Sequence, residues 1–224
     1  MYNIKHIKLK DVIFFVLLIS IITIFTGCSL KDVVMGNNTK EEIYEIGKSK
    51  VYKLGEEIEV KSPTKDGELT VGYKFKINSA KVYNTPEEAG IEKDKLVSSD
   101  YYGVKKEPVI KTIDEIAKGK TLLCDIDITN INEESENNIT FLDLVLEKGD
   151  KELNSVGLPI YLSNSIAVSP EDSNQYHFKL EKGKSTNLQV AFPVDEEVLK
   201  SGKLYLADGF MGDEETVSYI DLGL

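Results

Sequence analysis

The sequence predicts an all-β protein: an antiparallel β-sandwich preceded by an N-terminal signal helix and a flexible tether. Three observations carry this reading. From Val51 onward, apolar and polar residues alternate with period two in one run after another. Gly, Asn and Asp cluster between the runs at short intervals. After the leader, no stretch holds the spacing of a long amphipathic helix.

The leader comes first. Lys5, Lys8 and Lys10 precede an uncharged run from Val12 to Thr26, which ends at Gly27-Cys28. That run falls short of the roughly 20 apolar residues needed to cross a bilayer core. A positive start, an apolar middle and a close of small residues form an export signal. Phe25-Thr26-Gly27-Cys28 resembles the lipobox of bacterial lipoproteins: Gly27 and Cys28 match it, whereas Phe25 and Thr26 depart from its commonest residues. The resemblance implies cleavage before Cys28, a diacylglyceryl group on its thiol and the lipid bilayer as a partner. Two or more acyl chains make such an anchor stable. The alternative is an uncleaved signal anchor. The expected organisation is a signal peptide over 1–27, a lipid-anchored flexible tether over 28–50 and a sandwich over 51–224. The tether, "SLKDVVMGNNTKEEIYEIGKSK", is polar with little periodicity, apart from a helical turn at Glu41–Ile46.

The strands follow in order. "ELTVGYKFKINSAKV" sets Leu69, Val71, Tyr73, Phe75 and Ile77 on one face, and "TLLCDIDITNIN" sets Leu122, Cys124, Ile126 and Ile128 against Asp125, Asp127 and Thr129. "NITFLDLVLEKGD" reads as one strand ending in a Lys-Gly-Asp turn. "NQYHFKLEKGK" and "STNLQVAFPV" read as a hairpin, as do "GKLYLADGF" and "TVSYIDLGL". Short helices are expected at Asp114–Ala117 and Asp195–Ser201.

"KLGEEIEV", "GKTLLCDIDITNINEES", "KLEKGKSTNLQVAFPVDEE" and the closing "KLYLADG" and "YIDL" together resemble the telokin-like, immunoglobulin-like domain of Gram-positive surface lipoproteins. The resemblance implies an immunoglobulin-like sandwich used extracellularly for binding or scaffolding. It supplies no catalytic residue and no cofactor.

Composition narrows the function. The chain of 224 residues carries 27 basic and 38 acidic side chains, a formal net charge of −11. Removing residues 1–27 takes away three lysines and one aspartate, which leaves a net charge of −13. Such a surface repels phosphate backbones, so nucleic acid is excluded as a partner. Once Cys28 is acylated, Cys124 is the only thiol left, and no disulfide can form within the chain. Zinc would need several Cys or His ligands that the chain lacks. Cys124 sits among Leu122, Ile126 and Ile128, which marks it as core rather than nucleophile. His177 is expected on a solvated strand face, and no nucleophile elbow accompanies it.

Two acidic groups stand out: Asp125 and Asp127, with Glu133 and Glu134 beyond, and a loop with Asp208, Asp213, Glu214 and Glu215. Neither follows the calcium-loop pattern, so no metal site is assigned and a solvated acidic surface is the expectation. The segment from Asn84 to Lys118 is the least regular part of the chain, and long loops of this kind are often functional or disordered. Tyr101, Tyr102 and the run Lys105-Lys106-Glu107 make it the candidate binding surface, with capping of the sandwich end as the alternative for the tyrosines.

The functional expectation is therefore a non-catalytic binding or scaffolding lipoprotein, anchored to the cell membrane and facing outward. Its partner would be an envelope protein, glycan or small molecule. The competing classes are an envelope glycan or peptide hydrolase and a calcium-dependent adhesion or sensing module.

Overall fold

The computed structural model describes residues 45–47, 49–63, 68–105, 107–133, 138–139, 142–149, 151–165, 177–208 and 217–224. They all belong to one compact unit, Ile43–Leu224. The leader, Cys28, almost all of the tether, Lys106, Glu134, Asp213, Glu214 and Glu215 lie outside the described residues. No described helix is long and apolar enough to cross a membrane.

Fourteen strands are described: β1 (Lys50–Lys53), β2 (Glu57–Pro63), β3 (Leu69–Tyr83), β4 (Ser99–Tyr101), β5 (Val109–Lys111), β6 (Thr121–Asn130), β7 (Asn138–Ile139), β8 (Leu142–Lys148), β9 (Leu153–Gly157), β10 (Tyr161–Leu162), β11 (His177–Phe178), β12 (Ser185–Pro193), β13 (Gly202–Asp208) and β14 (Ser218–Asp221). They form a five-stranded sheet, β10-β12-β6-β3-β2, and a seven-stranded sheet, β1-β14-β13-β8-β9-β4-β5. All the pairings are antiparallel except β1 with β14.

The alternation explains how the sheets meet. Phe75, Leu122, Cys124, Ile126, Val190 and Phe192 of the first sheet share one buried cluster with Leu144, Leu146, Leu204, Leu206 and Ile220 of the second. Burial of these side chains drives the two faces together, at about 1.5–3 kcal/mol for each large one. In β3 the alternation changes phase. A bulge between Ile77 and Ser79 inserts one extra residue against β6, so that Ala80 and Val82 pack inward after Phe75 and Ile77. Leu69, at the start of that strand, is exposed instead of buried.

The two short helices form where their caps lie. Thr112 and Glu115 make a capping box at the start of α1 (Ile113–Ile116), and Asp195 caps α2 (Glu196–Ser201) by accepting from Val198 N–H at 2.9 Å. The β13–β14 hairpin forms as the sequence indicates. The hairpin expected between "QYHFKL" and "STNLQVAFPV" does not. The turn at Glu181–Lys184 is present, but His177 and Phe178 pair with Ile139 and Asn138 of β7 in a separate two-stranded ladder. His177 is half-buried there and not on an open face.

Strand direction gives the sandwich two distinct ends. Asn130, Leu142, Ser185, Asp208 and Ser218 terminate their strands at one end, and Lys50, where the chain enters β1, pairs with Ser218 at that same end. Tyr83, Thr121, Pro193 and Gly202 mark the other end. Ten residues of β6 separate the two, roughly 30 Å at the usual rise of a strand.

Candidate functional site

The described residues of the Asn84–Lys118 segment carry β4, β5 and α1 between β3 and β6. Its two ends are tied together. Asn84 donates through its backbone N–H and Nδ2 to Glu88 Oε2, both at 3.1 Å, and accepts from Lys120 Nζ at 2.9 Å. Lys120 also pairs with Glu196 at 3.2 Å. The stretches on either side of β4 and β5 lie on the outer face of the five-stranded sheet, while β4 and β5 themselves extend the seven-stranded sheet. Ile91, Leu96 and Ile116 are buried against Leu123 of β6, Ala191 of β12 and Ile160. Val97 N–H donates to Ile160 O at 3.0 Å and fixes the height of the segment over the sheet.

Within the insertion lies a cleft of about 480 Å³, lined by Pro86, Glu87, Gly90, Ile91, Glu92, Lys93, Leu96 and Ala117. Its shape comes from two tight turns. Ala89 and Ile91 N–H both donate to Pro86 O, and Gly90 N–H donates to Glu87 O. Gly90 closes that turn at φ +81°, a conformation that costs a residue with a Cβ. A 3-10 turn at Lys93–Lys95 then carries the chain back to Leu96. The floor is apolar, formed by Pro86, Ile91, Leu96 and Ala117, while Glu87, Glu92 and Lys93 are exposed at the rim. Asp114 holds Lys93 at 2.6 Å, and that contact keeps the Asp114 carboxyl below its ordinary range.

Tyr101 and Tyr102 part company. Tyr101 is 5% exposed and belongs to the central core. Its hydroxyl donates to Asp195 Oδ2 at 2.6 Å, and Lys111 Nζ sits 3.4 Å from its ring centre. Burial first, then the Asp195 hydrogen bond, pushes the phenol pKa up; burial pulls that of Lys111 down. Gly103 and Gly157 make room for the ring: a Cβ on either would stand 3.1–3.2 Å from it. Tyr101 thus bridges β4 to the cap of α2, which is the end-capping alternative. Tyr102 is half-buried beside it.

The acidic groups resolve differently. Asp125 and Asp127 do lie on the outer face of β6, opposite Cys124. Asn187 Nδ2 donates to both carboxylates at 3.0 Å, Asn78 of the bulge donates to Asp125 at 2.8 Å, and Lys76 stands 3.3 Å from Asp127. The Asn187 hydrogen bond first, then the nearby Asn78 amide, lowers the Asp127 pKa. Amide donors therefore occupy Oδ1 of each carboxylate. Asp208 is the last residue of β13 and not part of the loop that follows. It continues the inward row Leu204, Leu206 and lines a cavity of about 40 Å³ with Val60, Phe75, Ile126, Phe178 and Val190. Burial first, then neighbouring Asp143, raises its pKa to about 6. Asp143 is likewise raised to about 6 by burial. Cys124 is fully buried, with its thiol pKa pushed up to about 12 by burial alone. Among the described residues, no group of three or more His, Cys, Asp or Glu is arranged to hold a metal ion.

A family model described as a domain of unknown function (DUF5027) matches residues 66–224. A solved structure described as a candidate lipoprotein from Staphylococcus aureus subsp. aureus NCTC 8325 is 12% identical and has a TM-score of 0.37. The match covers 73% of this chain and 92% of that one, a likeness too weak to transfer fold or function. No curated protein matches the chain.

Proposed function

The chain belongs to the DUF5027 family of domains of unknown function, and from that premise we propose that it is a lipid-anchored, outward-facing binding module of the cell envelope that does not catalyse. The anchor is Cys28, whose place after Lys5, Lys8, Lys10 and the apolar run supports export, cleavage and acylation. The scaffold is an immunoglobulin-like sandwich. With β1, β2, β4, β5 and the β7–β11 ladder set aside, the sheet orders are β3-β6-β12-β10 and β14-β13-β8-β9. Those orders support assignment as strands A-B-E-D and G-F-C-C′ of that fold.

The observation that carries the binding role is the cleft over Ile91 and Leu96. It is built on the connection between β3 and β6, outside the two facing sheet surfaces, and its volume falls within the range of about 300–1,000 Å³ usual for ligand sites. Its position suits an anchored protein. The tether joins at Lys50, at one end of the sandwich, and the cleft lies toward the other, clear of the point of attachment. The anchoring half is tested by labelling with palmitate. Wild-type protein should carry the label and stay with membranes. Cys28→Ala should lose the label and accumulate as precursor or in the medium, and unchanged labelling of the variant would refute the anchor.

A further inference from the structure

We propose that the cleft takes a short cationic-apolar peptide segment of a partner protein, with a Lys or Arg beside an aliphatic residue. This rests on the binding role above and names the ligand class.

Several charges at the cleft are already used. Lys93, the one cation among the lining residues, is held by Asp114 at 2.6 Å. Glu88, next to Glu87, is turned to Asn84 and serves the closure of the segment. Glu92 gives its backbone carbonyl to the turn through Lys95 N–H, and Glu87 does the same through Gly90 N–H. The carboxylates of Glu87 and Glu92 have no partner among the described residues, and both are exposed at the rim. With Lys93 neutralised, the rim presents two carboxylates above an apolar floor.

That combination selects its occupant. An anion meets repulsion from the rim and from a mature chain of net charge −13. A bare polyamine satisfies the carboxylates but leaves Ile91, Leu96 and Ala117 uncovered. A neutral glycan brings no cation to the rim, and an acidic one meets the same repulsion as any other anion. Lys and Arg side chains carry both, laying the stem on apolar surface while the head stays at the polar rim. An aliphatic neighbour in the same segment would cover the rest of the floor.

The test uses the full chain in detergent micelles with fluorescein-labelled Gly-Lys-Leu-Lys-Gly, and the same peptide with Glu or Gln in place of Lys, read by fluorescence anisotropy. The Lys peptide should bind, weaken as salt rises, and bind roughly tenfold or more weakly to the Glu87→Gln/Glu92→Gln variant, as loss of charge-assisted contacts requires. Both positions are exposed, so the melting temperature of that variant should stay at the wild-type value. Ala117→Tyr, which fills the cleft, should abolish binding of every peptide. No binding of the Lys peptide, equal binding of the Glu peptide, or an unchanged affinity for the double variant would overturn the ligand class. If the Glu or Gln peptide bound instead and Ala117→Tyr removed it, the cleft would remain the recognition site and only the cationic assignment would fall.

Discussion

Asp208→Asn should stabilise this protein, and by an amount that depends on pH. Asp208 stands where strand alternation calls for an apolar residue, in line with Leu204 and Leu206 at the end of the inter-sheet core. Its carboxyl pKa is about 6 in the folded chain against an ordinary value of 3.8, through burial first and Asp143 second. A tenfold change in proton affinity corresponds to about 1.4 kcal/mol, so the charged form costs the fold up to about 3 kcal/mol. Solvent at the end of the sandwich reduces this to about 1–3 kcal/mol. The raised pKa means that the folded state protonates first. The favourable contribution is complete below about pH 4 and is lost as pH rises through about 6. Asparagine keeps the shape and removes the charge. Urea denaturation at pH 4, 5, 6, 7 and 8 should therefore show the variant more stable by about 1–3 kcal/mol at pH 8, the gap closing as pH falls to 4. A gap that does not vary with pH, or a variant less stable at pH 8, would show that Asp208 is paired or well solvated.

Cys124 should resist alkylation in the native protein and react only in denaturant; Cys124→Ser should cost about 1–3 kcal/mol by burying a hydroxyl without an arranged partner. Fast native alkylation would contradict the fully buried thiol. Tyr101→Phe should lower stability by about 1.5–3 kcal/mol, because it strips the donor from the Asp195 carboxylate, while Tyr102→Ala should change it far less. Equal losses from the two would mean that Tyr101 does not tie β4 to α2.

The sequence reveals the sheets wherever burial alternates on a single strand. In β6, Leu122, Cys124 and Ile126 against Asp125 and Asp127 declare both faces locally. Both short helices are legible from Thr112, Glu115 and Asp195, because capping is a contact between near neighbours. Asp208 is legible in principle, since Leu204-Leu206-Asp208 continues the inward row, but the acidic residues after it draw it into the loop. The partner of His177 is hidden, because the β7–β11 ladder joins segments that are remote in sequence. The cleft is hidden for the same reason. Ile91 and Leu96 look like residues of an irregular loop until Leu123, Ala191 and Ile160 are placed beneath them. Tyr101 and Tyr102 are adjacent and chemically alike, and only the fold separates a core residue from a half-buried one.

Recognition by the Asn84–Lys118 insertion, with the opposite end leading to the anchor, can be tested in intact cells. A photo-crosslinking residue is placed at Glu92, on the cleft rim, and separately at Lys182, in the exposed turn at the tether end. Position 92 should give a discrete protein adduct that disappears when Ala117→Tyr fills the cleft, and position 182 should give no such adduct. A discrete adduct from position 182 and none from position 92 would place recognition at the wrong end of the sandwich and contradict the proposed role of the cleft.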